Sequence, residues 1–168
     1  MKILVTGGLG FIGCNTAAHF NGLGHDVSAI DNYHRVGVDA NESWLRLVAP
    51  EVKIRTMDIR HGPALKQYIV TQHFDVIIHE AAQTAVTTSV EDPIYDFNTN
   101  VCGTFNIMEA ARVSGCAVVY ASTNKVYGAM STIKAWEDDT RWRYCDGALR
   151  KYGIGEDAPL DPISPYGC

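Results

Sequence analysis

The sequence predicts an α/β protein built on a doubly wound parallel sheet, with strands in the order 3-2-1-4-5. Three observations carry that expectation. Short, nearly unbroken apolar runs read as strands buried on both faces. They alternate with segments of helical periodicity, the rhythm of right-handed strand–helix–strand crossovers. A glycine-rich turn follows the first run, where such a sheet opens its ligand crevice.

Each element can be justified in turn. Lys2–Thr6 is a continuous apolar strand, and Phe11–Gly22 a helix closed by Gly22 and Gly24. Asp26–Ile30 is the second strand. A short helix is expected over Asn41–Val48 and a third strand over Val52–Met57. Gly62–His73 is a helix whose Gly-Pro start suits a first turn. Phe74–His79, FDVIIH, is the fourth strand. Asp92–Ser114 holds a long helix with Val101, Phe105, Met108 and Ala111 at helical spacing, and Ala117–Ala121 is the fifth strand. From Gly128 to Pro165 periodicity fades, so residues 129–165 are expected to form a long loop on the active-site side, within one domain spanning 1–168.

Composition narrows the class. A chain of 168 residues buries roughly two thirds of its unfolded surface, enough for a core. Apolar residues make up 46% and charged residues 20%, ordinary globular values. A net charge of -5 argues against a nucleic-acid partner, which demands a basic face. No apolar run approaches the ~20 residues of a membrane span, and MKILVTGG reads as a strand rather than a signal peptide. Cys14, Cys102, Cys116, Cys145 and Cys168 are scattered without a Cys-x-x-Cys pair. They read as reduced thiols of a cytoplasmic protein, with no disulfide framework and no metal site. The six histidines lack ligand spacing, and His79 reads as a hydrogen-bonded residue at a strand end.

The strongest chemical signal is Thr6-Gly7-Gly8-Leu9-Gly10-Phe11-Ile12-Gly13. Gly7, Gly10 and Gly13 recur every third residue, and Gly8, Gly10 and Gly13 fit Gly-x-Gly-x-x-Gly. A tight turn lets the backbone approach a pyrophosphate, and the helix N-terminus offers free N–H groups. Asp31-Asn32 ends the second strand, where an acid accepts the ribose hydroxyls and repels a 2′-phosphate. That favours NAD over NADP as cofactor. Arg35 is the one residue that argues the other way.

TGGLGFIG, Asp31, Asp58-Ile59, His79-Glu80-Ala81-Ala82, Tyr120-Ala121-Ser122-Thr123 and Tyr166 together resemble the extended short-chain dehydrogenase/reductase family, in order and spacing across the whole chain. Within it, QTAVTTS (Gln83–Ser89), STNKVYG (Ser122–Gly128) and LDPISPYGC (Leu160–Cys168) resemble the CDP-paratose 2-epimerase, or CDP-tyvelose epimerase, subfamily. The resemblance implies a Rossmann-like domain whose later strands and C-terminal substrate domain lie outside these residues. It implies that Asp58 and Ile59 meet the adenine, and that Ala81, Ala82 and Gln83 lie along the cofactor. It implies that Asn100 steadies the active-site backbone. Thr123 and Tyr166 fall at the catalytic positions, and Thr88, Asn124 and Lys125 on the sugar side. Ala82 departs from the family, which often has glycine there.

The activity implied is epimerisation of a nucleotide sugar by transient oxidation at a sugar carbon, with hydride return to the opposite face. A tyrosine base needs neighbouring positive charge, since free tyrosine titrates near pH 10. In the family that charge is a lysine four residues on, which here falls beyond Cys168, so the isolated chain is expected to be inactive. The resemblance also implies a homo-oligomer for the full-length enzyme, with the Asp92–Ser114 helix at its interface. The alternatives are a 4-epimerase, a 4,6-dehydratase or a non-catalytic NAD-binding fragment. A dehydratase would want acids where Asn124 and Lys125 stand.

Overall fold

The computed structural model describes residues 1–168. They divide into two compact units, Met1–Ser122 and Thr123–Cys168.

The first unit alternates strands and helices: β1 (Lys2–Thr6), α1 (Phe11–Gly22), β2 (Asp26–Asp31), α2 (Val38–Val48), β3 (Lys53–Thr56), α3 (Gly62–Gln72) and β4 (Val76–His79). Then come α4 (Val86–Glu91), α5 (Pro93–Phe97), a π-turn (Asn98–Cys102), α6 (Gly103–Ser114) and β5 (Ala117–Tyr120). The strands form one sheet in the order β3-β2-β1-β4-β5, and every pairing is parallel. Thr6 lies level with both Ile30 and His79. The carboxyl ends of β1, β2 and β4 therefore emerge side by side, and the candidate site residues follow them.

Alternation along the strands builds a core on each face. Ile3, Val5 and Val27 join Leu45 and Ala17 on one side. Leu4, Ile30 and Ile77 join Leu65, Ile69 and Ile107 on the other. Leu4, Leu45, Leu65, Ile69 and Ile107 are completely buried. Each such side chain contributes about 1.5–3 kcal/mol relative to exposure.

Three expectations need correction. The helix expected from Asn41 begins at Val38, after Gly37 in a left-handed conformation at φ 91°. The long Asp92–Ser114 helix is three segments. Asp92 caps α5 by accepting from Tyr95 N at 2.9 Å, and the π-turn shifts the register before α6. α4 had no periodic signal at six residues. Of the anticipated apolar row, Ala111 is buried, but Val101, Phe105 and Met108 are 50%, 68% and 40% exposed. Gly103, Ile107 and Ala110 face inward instead. α6 carries two apolar rows, and close packing of Gly103 on Ile59 selects the one that turns inward.

The second unit is not one long loop. It contains a 3₁₀ turn (Asn124–Tyr127), β6 (Ala135–Glu137), β7 (Trp142–Tyr144) and α7 (Gly147–Tyr152). β6 and β7 pair antiparallel with Trp136 opposite Arg143. Asp138 and Arg143 form an ion pair, and Asp146 caps α7 by accepting from Leu149 N at 2.8 Å. Strands of three residues are too short to show alternation in a sequence. No helix of the chain is long and apolar enough to cross a membrane.

Candidate active site

The glycine turn between β1 and α1 is built by close backbone approach. Gly7 has φ +64°, and a Cβ there would sit 2.8 Å from the Ala81 backbone. A Cβ on Gly13 would overlap the Gly7 carbonyl oxygen. Gly10 N donates to Gly7 O at 2.9 Å and closes the turn. No side chain caps α1 at Gly10, and its first turn contains no acid. Phe11 and Ile12 open on solvent at 80% and 66% exposure. This is a helix N-terminus with a positive dipole end and unpaired donors, the environment a pyrophosphate requires. The residues fit a dinucleotide.

Asp31 is held at the end of β2. Its Oδ2 accepts from Leu9 N at 3.1 Å and its Oδ1 from Tyr33 N at 3.0 Å. The carboxylate thus ties the glycine turn to the chain after β2. Tyr33 adopts φ 57°, rare for a bulky residue. Asp31 and a 2.6 Å bond from the Tyr33 hydroxyl to Glu42 hold it there. Asn32 reaches Asp58 through Nδ2 at 3.1 Å, joining the ends of β2 and β3. The Arg60 fork on Asp58, closest at 2.6 Å, holds that carboxyl well below the usual range. Asn106 Nδ2 donates to Ile59 O at 2.9 Å, so the Asp58-Ile59 step is fixed from both sides. Arg35 donates to Thr84 Oγ1 at 2.9 Å and is committed there.

At the end of β4, His79 is 1% exposed between two threonines. Its Nδ1 lies 2.7 Å from Thr6 Oγ1 and its Nε2 3.0 Å from Thr104 Oγ1. Thr6 Oγ1 already accepts from Glu80 N and Ala81 N, so its proton points at Nδ1. That makes Nε2 the protonated nitrogen. Burial pushes the imidazole down to about 4, so it is neutral. His79 is the hydrogen-bonded strand-end histidine its position suggested. Glu80 accepts from Thr16 at 3.0 Å, while its Oε2 is buried without a partner and burial raises its pKa.

Ala81 is half-buried and Ala82 exposed. Gln83 is buried, and Asn100, inside the π-turn, grips its backbone: Asn100 Oδ1 accepts from Gln83 N at 2.8 Å and Nδ2 donates to Gln83 O at 2.9 Å. Thr88 is half-buried on α4.

In the second unit, Thr123 precedes the 3₁₀ turn and its Oγ1 accepts from Lys125 N at 3.2 Å. Its hydroxyl proton is left to donate elsewhere. Asp161 N donates to Val126 O at 2.9 Å. A Cβ on Gly167 would lie 2.9 Å from Lys125 O. The segment carrying half-buried Tyr166 therefore folds back on the turn after Thr123. Asn124 and Lys125 are exposed.

Sequence reasoning passed over Thr6, Arg60, Asp96 and Asn106. Each acts by holding a neighbour; polar residues clustered at strand ends could have signalled Thr6 and Arg60, whereas Asp96 and Asn106 lie within helices and carry no such signal.

Residues 3–168 match the model of the NAD dependent epimerase/dehydratase family. CDP-paratose 2-epimerase of Salmonella typhi is 39% identical over 170 residues, covering all of this chain and 49% of that protein. A bifunctional UDP-glucose and UDP-xylose 4-epimerase of Pisum sativum is 35% identical over 142 residues, covering 82% of this chain and 41% of that protein. Among solved structures, the Thermus thermophilus UDP-glucose 4-epimerase complex with NAD matches with TM-score 0.75 and 30% identity over 99% of this chain and 46% of that one. The chain spans about half the length of the curated relatives it matches. With its parallel sheet, glycine turn and strand-end acids, the chain belongs to the NAD-dependent epimerase/dehydratase family.

Proposed function

We propose that this chain forms the NAD-binding part of a nucleotide-sugar 2-epimerase of the CDP-paratose/CDP-tyvelose type. The observation that carries the reading is the glycine turn opening on the uncapped N-terminus of α1. Gly7, Gly10, Phe11, Ile12 and Gly13 hold the pyrophosphate, Asp31 and Asn32 the ribose, and Asp58 and Ile59 the adenine. Ala81, Ala82, Gln83 and Asn100 line the rest of the dinucleotide. When bound, NAD supplies a hydride acceptor that returns what it takes.

The chain's own groups handle the proton. Tyr166, as phenolate, takes the proton of the sugar C2 hydroxyl. Thr123 donates its free hydroxyl proton to the same oxygen, and Thr88, Asn124 and Lys125 contact the sugar. The 39% identity to a CDP-paratose 2-epimerase supports this substrate class, and Asn124-Lys125 beside Thr123 weighs against a dehydratase.

Ile94, Phe97, Val101, Phe105 and Met108 form an exposed apolar row along α5, the π-turn and α6, which supports a homo-oligomer. Light scattering showing a clean monomer would remove that part. Five free cysteines fit the cytoplasm. Fluorescence titration with NADH tests the core of the proposal. Binding by the chain, and its loss in Gly13→Val, is the expected result; no binding at millimolar NADH sinks it. Incubating an enzyme that extends through the substrate domain with CDP-paratose and with UDP-glucose separates the 2-epimerase from the 4-epimerase.

A further inference from the structure

Asp96 is a carboxylate that the proposed reaction does not use, yet it is only 3% exposed. Its Oδ1 accepts from Gln83 Nε2 at 2.8 Å and from Asn100 Nδ2 at 3.1 Å. Those two amides control the chain between β4 and α4. Asn100 bonds both the N–H and the carbonyl of Gln83, as a neighbouring strand would. The Gln83 side chain does the same for Ala85: Oε1 accepts from Ala85 N at 2.6 Å and Nε2 donates to Ala85 O at 2.9 Å.

An amide can turn over end for end, exchanging donor and acceptor. A carboxylate only accepts. With Asp96 between them, neither amide can turn without aiming an oxygen at Oδ1. Asp96 therefore fixes both orientations, and with them the backbone of Gln83 and Ala85. Asn100 stands within the π-turn and Asp96 two residues before it. Such wide turns recur at functional sites.

The fold says which half of a dinucleotide this serves. One nucleotide lies over β1–β3 and the other across the switch point toward β4 and β5. Asp31, the ribose acid, ends β2, so the chain after β4 faces the nicotinamide half. We propose that Asp96 is a positioning residue for the nicotinamide half of the cofactor, acting through the amides of Gln83 and Asn100. The inference rests on NAD occupying the glycine turn.

The test compares two ligands on the 168-residue chain: NADH by fluorescence, and ADP, which lacks the nicotinamide half, by calorimetry. Asp96→Leu is expected to weaken NADH about tenfold, the effect of losing one buried charged acceptor, and to leave ADP within about twofold. Asp96→Asn, whose carbonyl can still accept both N–H groups, is expected to recover most of the NADH affinity. Equal loss of both ligands, or no loss of either, overturns the proposal. Gln83→Met cuts the same link from the other side and must give the same split if Asp96→Leu does not fold. Failure of the unmodified chain to bind either ligand refutes the cofactor reading instead.

Discussion

Met1–Ser122 and Thr123–Cys168 are held together by different forces. Every buried apolar side chain lies in the first unit, in two clusters on the faces of the sheet. The second unit buries only Ser164 and Gly167. Its order comes from hydrogen bonds and caps, such as Cys145 N to Lys134 O at 2.9 Å and the Asp146 cap of α7. Trp136 and Trp142 stand 44% and 68% exposed on its hairpin. The difference teaches where stability and chemistry reside. The unit proposed to bind the cofactor is rigid because it is packed. The unit carrying Thr123 and Tyr166 opens at lower free energy, since local stability follows buried apolar contact.

The comparison can be broken by measurement. Leu65→Ala removes a fully buried side chain from the first unit. It should cost roughly 2–5 kcal/mol in urea unfolding, and a cost below about 1 kcal/mol would mean that this core is loosely packed.

The next effect is pH-dependent. His79 has its folded pKa lowered to about 4, so the unfolded chain takes up its proton first as pH falls. The stabilisation is complete above about pH 6.5 and is lost as pH falls through that value toward about 4. About 3 kcal/mol is at stake. Urea unfolding of the parent chain and His79→Gln across this window measures it; identical slopes would contradict a buried neutral imidazole.

Hydrogen exchange sharpens the contrast. Amides of β1 should be protected about a hundredfold or more beyond those of β6 and β7. Equal protection would show that the two units open together. The smallest effect is expected from Trp142→Ala, within about 0.5 kcal/mol by thermal melting. A larger loss would mean that the hairpin depends on that ring.

The strands were legible because burial on both faces leaves continuous apolar runs, and β1 and β4 lie where those runs do; α1 was legible between the glycine turn and the glycines that close it. The glycine turn was legible because close approach excludes every other side chain at Gly7 and Gly13. The hairpin at Ala135–Tyr144 was not, because its register depends on pairing across the turn. Nor was the outward face of the π-turn and α6, because Val101, Phe105 and Met108 are as apolar as the row that packs inward.

The sequence by itself determined the strands and the glycine turn that follows β1, since these rest on local periodicity and on steric limits within a few residues, and the order expected of a doubly wound sheet followed from them. Only the tertiary structure decided which partners hold His79 and Asp96. Thr6 lies 73 residues from His79, and Gln83 lies 13 from Asp96. Whether a buried polar group is a liability or a fixed point depends on partners that folding alone brings within 3 Å.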